Sequence, residues 1–278
     1  MDTNKNLYTV VYTAVVVLIV SALLAFVSTA LKDKQDANEK ADIMGQIMTA
    51  AQFGTRAELQ GLGNSNVLAK FDEELAESFT VNLAGEKVAD LQRDKVYPAK
   101  ELKAQNYKIK GAGEPELPVF IFKNGKTVVP IYGAGLWGPI WGYIAFEEDL
   151  TTIASAYFDH DSETAGLGAR IKDDPDFQHE FNGEKADFAL TRIFEIVKGG
   201  APKEADGKTS VIDNKIDAIT GATMTCKGLD EAINTWLGAY KAYFGKNAST
   251  SSCCGESAQD CGKCTEGCDE AENNCGEE

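Results

Sequence analysis

The fold class is decided by one stretch of sequence, Val119-Phe120-Ile121-Phe122-Lys123-Asn124-Gly125-Lys126-Thr127-Val128-Val129-Pro130-Ile131-Tyr132. Two runs of β-branched and aromatic residues flank an Asn-Gly pair, a pattern typical of a β-hairpin. A further strand is predicted over Tyr143-Ile144-Ala145-Phe146. Adjacent strands followed by helices favour antiparallel sheets with packed helices over the strict alternation of a doubly wound sheet. The predicted fold class is therefore α+β.

Composition and charge exclude several kinds of partner and site. The 278 residues include 43 Asp and Glu against 27 Lys and Arg, which gives a net charge of −16. Such an acidic surface repels phosphate backbones, so no nucleic-acid partner is expected. The two histidines, His160 and His179, are too far apart for a local zinc-hydrolase motif.

The N-terminal segment predicts a membrane anchor. No charged residue occurs from Leu7 to Leu31, and a helix of that length would reach roughly 37 Å, enough to cross a bilayer with some tilt. A cleaved signal peptide is the alternative, because small residues stand at Ser28-Thr29-Ala30. Signal peptides usually have a shorter apolar region after a basic start, so a retained anchor is preferred. The few lysines that flank the segment do not decide its orientation.

The rest of the chain divides into three further parts. We expect residues 1–31 to be the anchor, 32–110 a membrane-proximal helix and the N-terminal part of the soluble domain, and 111–245 the main domain. Apolar spacing predicts a helix over Ala41–Phe53, and short strands are predicted at Phe79–Leu83 and Tyr107–Ile109. Residues 246–278 form an acidic, Cys-rich tail that is too polar to bury a core and is expected to be disordered.

Two glycine-rich stretches precede the last predicted helix. The first, Gly133-Ala134-Gly135-Leu136-Trp137-Gly138, has the spacing of a dinucleotide fingerprint, but Pro139 and β-like residues follow it where a helix should begin. It predicts a turn between strands, or a place where Trp137 and Trp141 border a flat aromatic ligand. The second is Glu163-Thr164-Ala165-Gly166-Leu167-Gly168. There Leu167 either fills the core or is presented to a ligand.

A third element precedes a strongly amphipathic helix. It reads Asp217-Ala218-Ile219-Thr220-Gly221-Ala222-Thr223-Met224-Thr225. Small residues and free N–H groups at the start of a helix suit a phosphate, and an ordinary threonine cap is an equally good interpretation. The helix that follows places six apolar residues on one face: Leu229, Ala232, Ile233, Trp236, Tyr240 and Phe244.

All three elements resemble motifs of the FMN-binding domain family and occur in its order. The stretch Thr220–Thr225 is similar to the flavinylation motif S/T-G-A-T-x-S/T, Glu163–Gly168 to the loop E-T-P-G-L-G, and Gly133–Gly142 to a G-x-G-L-W segment. Ala165 replaces the usual proline, and Thr220 stands where serine is common. The resemblance extends from the anchor to about Phe244.

The resemblance implies a cofactor and a set of residues that bind it. FMN is expected to be linked covalently, through a phosphoester, to Thr225. Gly221, Ala222 and Thr223 would lie near the phosphate, and Thr164, Leu167 and Trp137 would complete the flavin site, with the last two as contacts of the isoalloxazine ring. A flavin transferase would supply FMN from FAD and activate the hydroxyl, so that this chain contributes only the acceptor.

The resemblance also implies a function and a location. It is closest to members that serve as electron-carrying subunits of sodium-pumping NADH:quinone reductases. This implies other subunits as partners, a bacterial inner membrane with a single-pass anchor, and a periplasmic soluble domain. The covalent-FMN subunit of the ferredoxin:NAD⁺ reductase complex Rnf is an alternative, against which the long segment between anchor and domain argues. A flavin-free, membrane-tethered assembly module is another.

The cysteines leave their own alternatives open. Cys226 is interpreted as a small residue near the start of the last helix. Disorder, disulfides and a metal site are all compatible with the tail cysteines, and no metal is assigned. These are Cys253, Cys254, Cys261, Cys264, Cys268 and Cys275.

Overall fold

A single long helix joins the apolar N-terminal segment to the folded domain. The computed structural model describes residues 6–200 and 214–251, and its first helix, α1, spans Asn6–Ala50. The side chains from Thr9 to Glu39 are exposed, whereas Met44, Ile47 and Met48 are buried in the domain. The predicted anchor and the predicted helix over Ala41–Phe53 are thus parts of one helix, because no Gly or Pro interrupts the chain before Gly45.

This helix has the length and apolar character of a membrane span. Among the described residues, α1 is the one helix that is long and apolar enough to cross a membrane, and its apolar stretch is not buried in the domain. The structure therefore agrees with a single-pass anchor near the N-terminus.

The centre of the domain is a six-stranded antiparallel sheet, as the sequence predicted. Its strands lie in the order β2-β1-β3-β4-β5-β6. The Asn-Gly hairpin joins β3 to β4, and Gly125 at its turn has a φ of 80°, a value that favours glycine. The strands are β1 (Leu75–Val81), β2 (Lys87–Asp90), β3 (Leu117–Phe122), β4 (Thr127–Ala134), β5 (Pro139–Phe146) and β6 (Ile153–His160).

Helices cover both faces of this sheet, so the strands β3 to β6 are largely buried on both sides, whereas the edge strand β2 is exposed. On one face α1 and two short helices, α2 (Arg56–Leu62) and α3 (Asn64–Glu74), pack against Phe120, Phe122 and Tyr143. On the other face lies the last helix, α7 (Thr223–Ser251). The six apolar residues that the sequence assigned to one face of that helix are all buried: Leu229, Ala232, Ile233, Trp236, Tyr240 and Phe244.

Smaller elements complete the domain. A two-stranded parallel sheet pairs β7 (Glu195–Val197) with β8 (Lys215–Asp217), just before the turn that leads into α7. The remaining helices are α4 (Ala99–Tyr107), α5 (Arg170–Asp173) and α6 (Pro175–His179).

Two expectations require correction or restriction. The predicted strand at Tyr107–Ile109 is wrong, because Tyr107 ends α4 and Lys108–Ala112 form a π-helical turn. The last helix continues to Ser251, although Phe244 is buried and the three residues after it are exposed. The tail cysteines and the expected disorder of the tail from residue 252 onward lie outside the described residues.

Candidate functional site

Thr225 lies in the first turn of α7, and its side chain is buried. Only 1% of the residue is exposed. Thr223, by contrast, is the exposed first residue of the helix, and the buried Ala222 accepts the first helical hydrogen bond from the N–H of Cys226. The hydroxyl of Thr225 is therefore directed into the protein at the positive end of the helix dipole.

The partner of this hydroxyl is Glu163. Thr225 Oγ1 donates a hydrogen bond to Glu163 Oε2 over 2.7 Å. The other oxygen, Oε1, accepts the backbone N–H of Trp137 over 2.9 Å, and the N–H of Glu163 itself donates to His160 Nδ1. One buried carboxylate thus connects the turn after β4, the loop after β6 and the start of α7.

The surroundings keep this carboxylate ionised. Burial by itself raises the pKa of Glu163, but the N–H of Trp137 and the hydroxyl of Thr225, helped by the N–H groups of Leu136 and Gly138, lower it further than burial raises it. The net result is a pKa below the ordinary value of 4.5. Donated hydrogen bonds favour the charged form of a carboxylate, so Glu163 carries a negative charge at neutral pH.

Two glycines make room for the carboxylate. A β-carbon on Gly168 would lie 2.4 Å from Glu163 Oε2 and 2.6 Å from Thr225 Oγ1. A β-carbon on Gly135 would lie 2.3 Å from Glu163 Oε1. All three distances are too short for a β-carbon, so Gly135 and Gly168 leave the space that the Glu163 carboxylate occupies in this position.

Gly221 and Leu167 bring the loop and the helix start together. Gly221 has a φ of 85°, and a β-carbon there would be 3.0 Å from Leu167 Cδ2. The carbonyl of Thr164 accepts the N–H groups of Leu167 and Ala169, which folds the loop tightly, while the Thr164 side chain is exposed. Five of the residues that the sequence named for the site thus surround Thr225: Thr164, Leu167, Gly221, Ala222 and Thr223. Their role towards a cofactor stays a prediction.

Large apolar side chains next to this cluster are open to solvent. Trp137 is 69% exposed and Leu167 is 44% exposed, so the interpretation of Leu167 as a core residue is wrong. Leu136 and Met224, the neighbours of Trp137 and Thr225 in the chain, are also exposed. An apolar surface beside a buried hydroxyl and a helix start suits a ligand that has a flat aromatic ring and a phosphate.

Trp141 does not share this location. Its Nε1 donates to Gln46 of α1 over 3.2 Å, and Gln46 Nε2 donates in turn to Asp159 over 3.1 Å. Gly133 and Ala134 end β4, and residues 135–138 form a turn to β5, which agrees with one of the two interpretations of this stretch; of the two tryptophans, Trp137 lies on this turn and Trp141 lies within β5. Trp141 instead connects the sheet to the first helix.

Gly133 on β4 and Gly228 on α7 allow the helix to pack closely against the sheet. A β-carbon on Gly133 would lie 2.6 Å from Ala232 Cβ, and one on Gly228 would lie 2.1 Å from the Ala134 carbonyl oxygen. A cavity of about 360 Å³ beside this contact is lined by polar and charged residues that include Asn106, and it does not include Thr225. The described residues contain no group of acidic, His and Cys side chains that could hold a metal ion.

Glu163 was not among the predicted site residues. It lies 62 positions before Thr225, so no local spacing connects the two. The sequence did place Glu163 at the first position of the Gly-rich loop, but its carboxylate was interpreted only as part of that motif. The sequence analysis also did not predict that Leu136 and Met224 are exposed beside the site.

Comparison with known proteins identifies the family. The FMN-binding domain family matches residues 135–238, which include the turn, the loop and the start of α7. A crystal structure of the C subunit of the Na(+)-translocating NADH-quinone reductase from Parabacteroides distasonis is 31% identical, with a TM-score of 0.60 over 77% of this chain and 96% of that one.

Curated relatives are also named as C subunits of the Na(+)-translocating NADH-quinone reductase. The C subunit from Vibrio anguillarum is 28% identical over 84% of this chain and 90% of its own length. The one from Chlamydia trachomatis is 39% identical over 41% of this chain, and the match spans 39% of that relative's length. The chain belongs to the family of C subunits of the Na(+)-translocating NADH-quinone reductases.

Proposed function

We propose that this chain is the electron-carrying subunit of a membrane complex that oxidises NADH, reduces quinone and pumps sodium, with FMN joined through its phosphate to Thr225. The observation that carries the proposal is the position of Thr225 in the first turn of α7, between two Gly-rich segments and beside exposed apolar side chains. Family membership supports an FMN-binding domain over residues 135–238.

The residues present fit this cofactor. Gly221, Ala222 and Thr223 lead into the helix start, where free N–H groups and the helix dipole favour a phosphate. Leu167 and Trp137 offer exposed apolar surface to an isoalloxazine ring. When bound, FMN supplies the electron transfer, and the protein supplies the tether, the position and the local polarity.

The burial of Thr225 places a condition on this proposal. Thr225 is 1% exposed as a residue, so its hydroxyl cannot react with a transferase unless the loop around Gly168 first moves away. Thr223 needs no such movement, because it is exposed. The site of attachment must therefore be tested at both positions.

Intact-mass analysis after co-expression with a flavin transferase is that test. We expect an FMN-sized increment in the wild type and in Thr223→Ala, and none in Thr225→Ala. Thr225→Ser retains a hydroxyl and is the matched control, which should keep the increment. An increment that persists in Thr225→Ala and disappears in Thr223→Ala would move the attachment to Thr223. Wild-type protein without any increment would favour the flavin-free assembly module.

We further propose that α1 is a retained single-pass anchor in a bacterial inner membrane and that the domain is periplasmic. The unbroken course of α1 into the buried core supports retention. Protease added to spheroplasts should then degrade the domain, whereas inside-out vesicles should protect it. The opposite pattern would place the domain in the cytoplasm.

A further inference from the structure

The hydroxyl proposed to carry the flavin already has a proton acceptor within its own chain. Thr225 Oγ1 and Glu163 Oε2 are 2.7 Å apart, and both residues are buried, with 1% and 8% of their surface exposed. The proposed function gives this carboxylate no role. A weak nucleophile needs a neighbouring base, and hydrogen-bond reach to the proton is the first requirement of such a base.

The carboxylate is held in place independently of the hydroxyl. Its second oxygen accepts the N–H of Trp137, on the turn between β4 and β5. Gly135 leaves space on that side, because a β-carbon there would lie 2.3 Å from Glu163 Oε1. Glu163 lies on the same loop as Gly168, and this hydrogen bond from Trp137 is what holds its carboxylate to the turn between β4 and β5 when Gly168 moves to uncover Thr225.

A purely structural role is the simpler alternative. A buried carboxylate that accepts a hydroxyl near a helix start would cap the helix and hold the loop. Two observations exceed that role: the acceptor faces the hydroxyl that is proposed to carry the flavin, and Gly135 and Gly168 leave the space that its two oxygens occupy. Phosphoryl transfer to a hydroxyl commonly uses a carboxylate in this position.

We propose that Glu163 is the general base for flavin attachment and takes the proton of the Thr225 hydroxyl. This inference rests on the proposed function. In the step, Thr225 Oγ1 forms a bond to the phosphorus of the FMN half of FAD. The bond from that phosphorus to the oxygen of the AMP phosphate breaks, and AMP leaves with the electron pair. The hydroxyl proton goes to Glu163.

Charge balance supports this assignment. Before FAD binds, the Glu163 carboxylate places one negative charge beside Thr225; FAD then brings the two negative charges of its pyrophosphate, which AMP carries away when it leaves. After the step, the new phosphodiester carries one negative charge, and Glu163 is neutral because it has taken the proton. If Glu163 stayed ionised, two anions would face each other in a buried space, which is costly. The N–H groups that stabilise the carboxylate therefore face a single negative charge before FAD binds and again after AMP has left.

The test is a time course of FMN addition to the full chain. Wild type and variants are incubated with FAD and purified flavin transferase, and the modified fraction is measured by intact mass. Glu163→Gln keeps an oxygen that accepts from Thr225 but cannot take the proton, and it should react roughly 100-fold more slowly or worse. Glu163→Ala should also be slow, and added formate should partly restore its rate.

The matched control is Asp230→Asn. Asp230 is another buried carboxylate on α7, where it accepts the N–H of Ile196 and pairs with Arg192. Asp230→Asn removes a buried charge from the helix that carries Thr225, and the variant should react at the wild-type rate. Circular dichroism of every variant before the reaction identifies any that do not fold.

The outcomes separate this inference from the proposed function. An unmodified wild type would contradict the proposed function itself. A wild type modified at Thr225, together with a folded Glu163→Gln variant that reacts equally fast, would overturn the base and leave the flavin site standing. A slow Glu163→Ala variant that formate does not accelerate would reduce Glu163 to a positioning residue and overturn the inference as well.

Discussion

Gly168 lies so close to Thr225 that a β-carbon on the glycine would be 2.6 Å from the threonine hydroxyl oxygen. This contact joins the loop after β6 to the start of α7, and it closes off the hydroxyl that we propose as the attachment site of FMN. The spacing between the two residues therefore controls both the stability of the site and access to it.

Gly168→Ala should disturb this contact. The added methyl group cannot fit between Glu163 and Thr225, so the buried hydrogen bond lengthens or breaks, and we expect a loss of about 1–3 kcal/mol in the free energy of unfolding. Flavin incorporation should fall as well. Urea unfolding and intact mass measure the two effects. Stability and incorporation equal to those of the wild type would show that the loop adjusts at no cost.

Gly228→Ala should separate α7 from the sheet. Its β-carbon would lie 2.1 Å from the Ala134 carbonyl oxygen, and a backbone atom cannot turn aside as a side chain can. We expect a loss of about 1–3 kcal/mol in urea unfolding. Gly238→Ala is the matched control, because nothing lies within 4 Å of its β-carbon. On the same helix it should raise stability by up to about 1 kcal/mol.

Gln46→Ala should weaken the junction between α1 and the sheet. Gln46 donates to Asp159 and accepts from Trp141 Nε1, so its removal leaves a buried carboxylate and an indole N–H with one partner fewer. We expect a loss of about 1–3 kcal/mol, measured by thermal unfolding. Gln60→Ala, at an exposed position of α2, should change little. Equal melting temperatures of Gln46→Ala and Gln60→Ala would contradict a stabilising role of the hydrogen bonds from Gln46 to Asp159 and from Trp141 to Gln46.

Acid should destabilise the protein partly through Glu163. Its folded pKa lies below the ordinary 4.5, because hydrogen bonds from Trp137 and Thr225 outweigh the opposing effect of burial. The unfolded chain therefore takes up this proton at a higher pH than the folded one. The stabilisation is complete above pH 4.5 and is lost as the pH falls through the folded pKa.

Glu163→Gln tests this dependence. The variant has no proton to take up at this position, so its stability should fall less steeply than that of the wild type as the pH drops below 4.5. Urea unfolding at a series of acidic pH values gives the comparison. Parallel curves for the two proteins would mean that Glu163 titrates alike in the folded and unfolded states.

Local sequence patterns predicted much of the fold. The hairpin around Gly125 and the buried face of α7 follow from turn chemistry and from spacing along one helix, and both are confirmed. The strand expected at Tyr107–Ile109 is wrong, because a short apolar run at the end of a helix has no distinctive period. Lys32 to Lys40 continue α1 because charged residues in solvent do not end a helix.

The sequence predicted those residues of the site that belong to a motif, including Leu167, which lies against Gly221 from a separate loop. Gly221, Ala222, Thr223 and Thr225 are consecutive or nearly so, and the structure brings them together. Glu163 reaches Thr225 through the fold of the sheet and the loop, and such a contact between distant segments leaves no period or spacing in the chain. Its importance becomes visible only in the distance between the two oxygens.

The unbroken course of α1 restricts how the domain can move. Between Leu31 and Ala41, the first buried residue that the structure describes, the chain remains helical and holds no glycine or proline, so about 15 Å of stiff helix separates the apolar segment from the core. Such a connection has no hinge. With the apolar segment in a bilayer, the domain moves by tilting together with its anchor, and the length of this helix sets the height of Thr225 above the lipid.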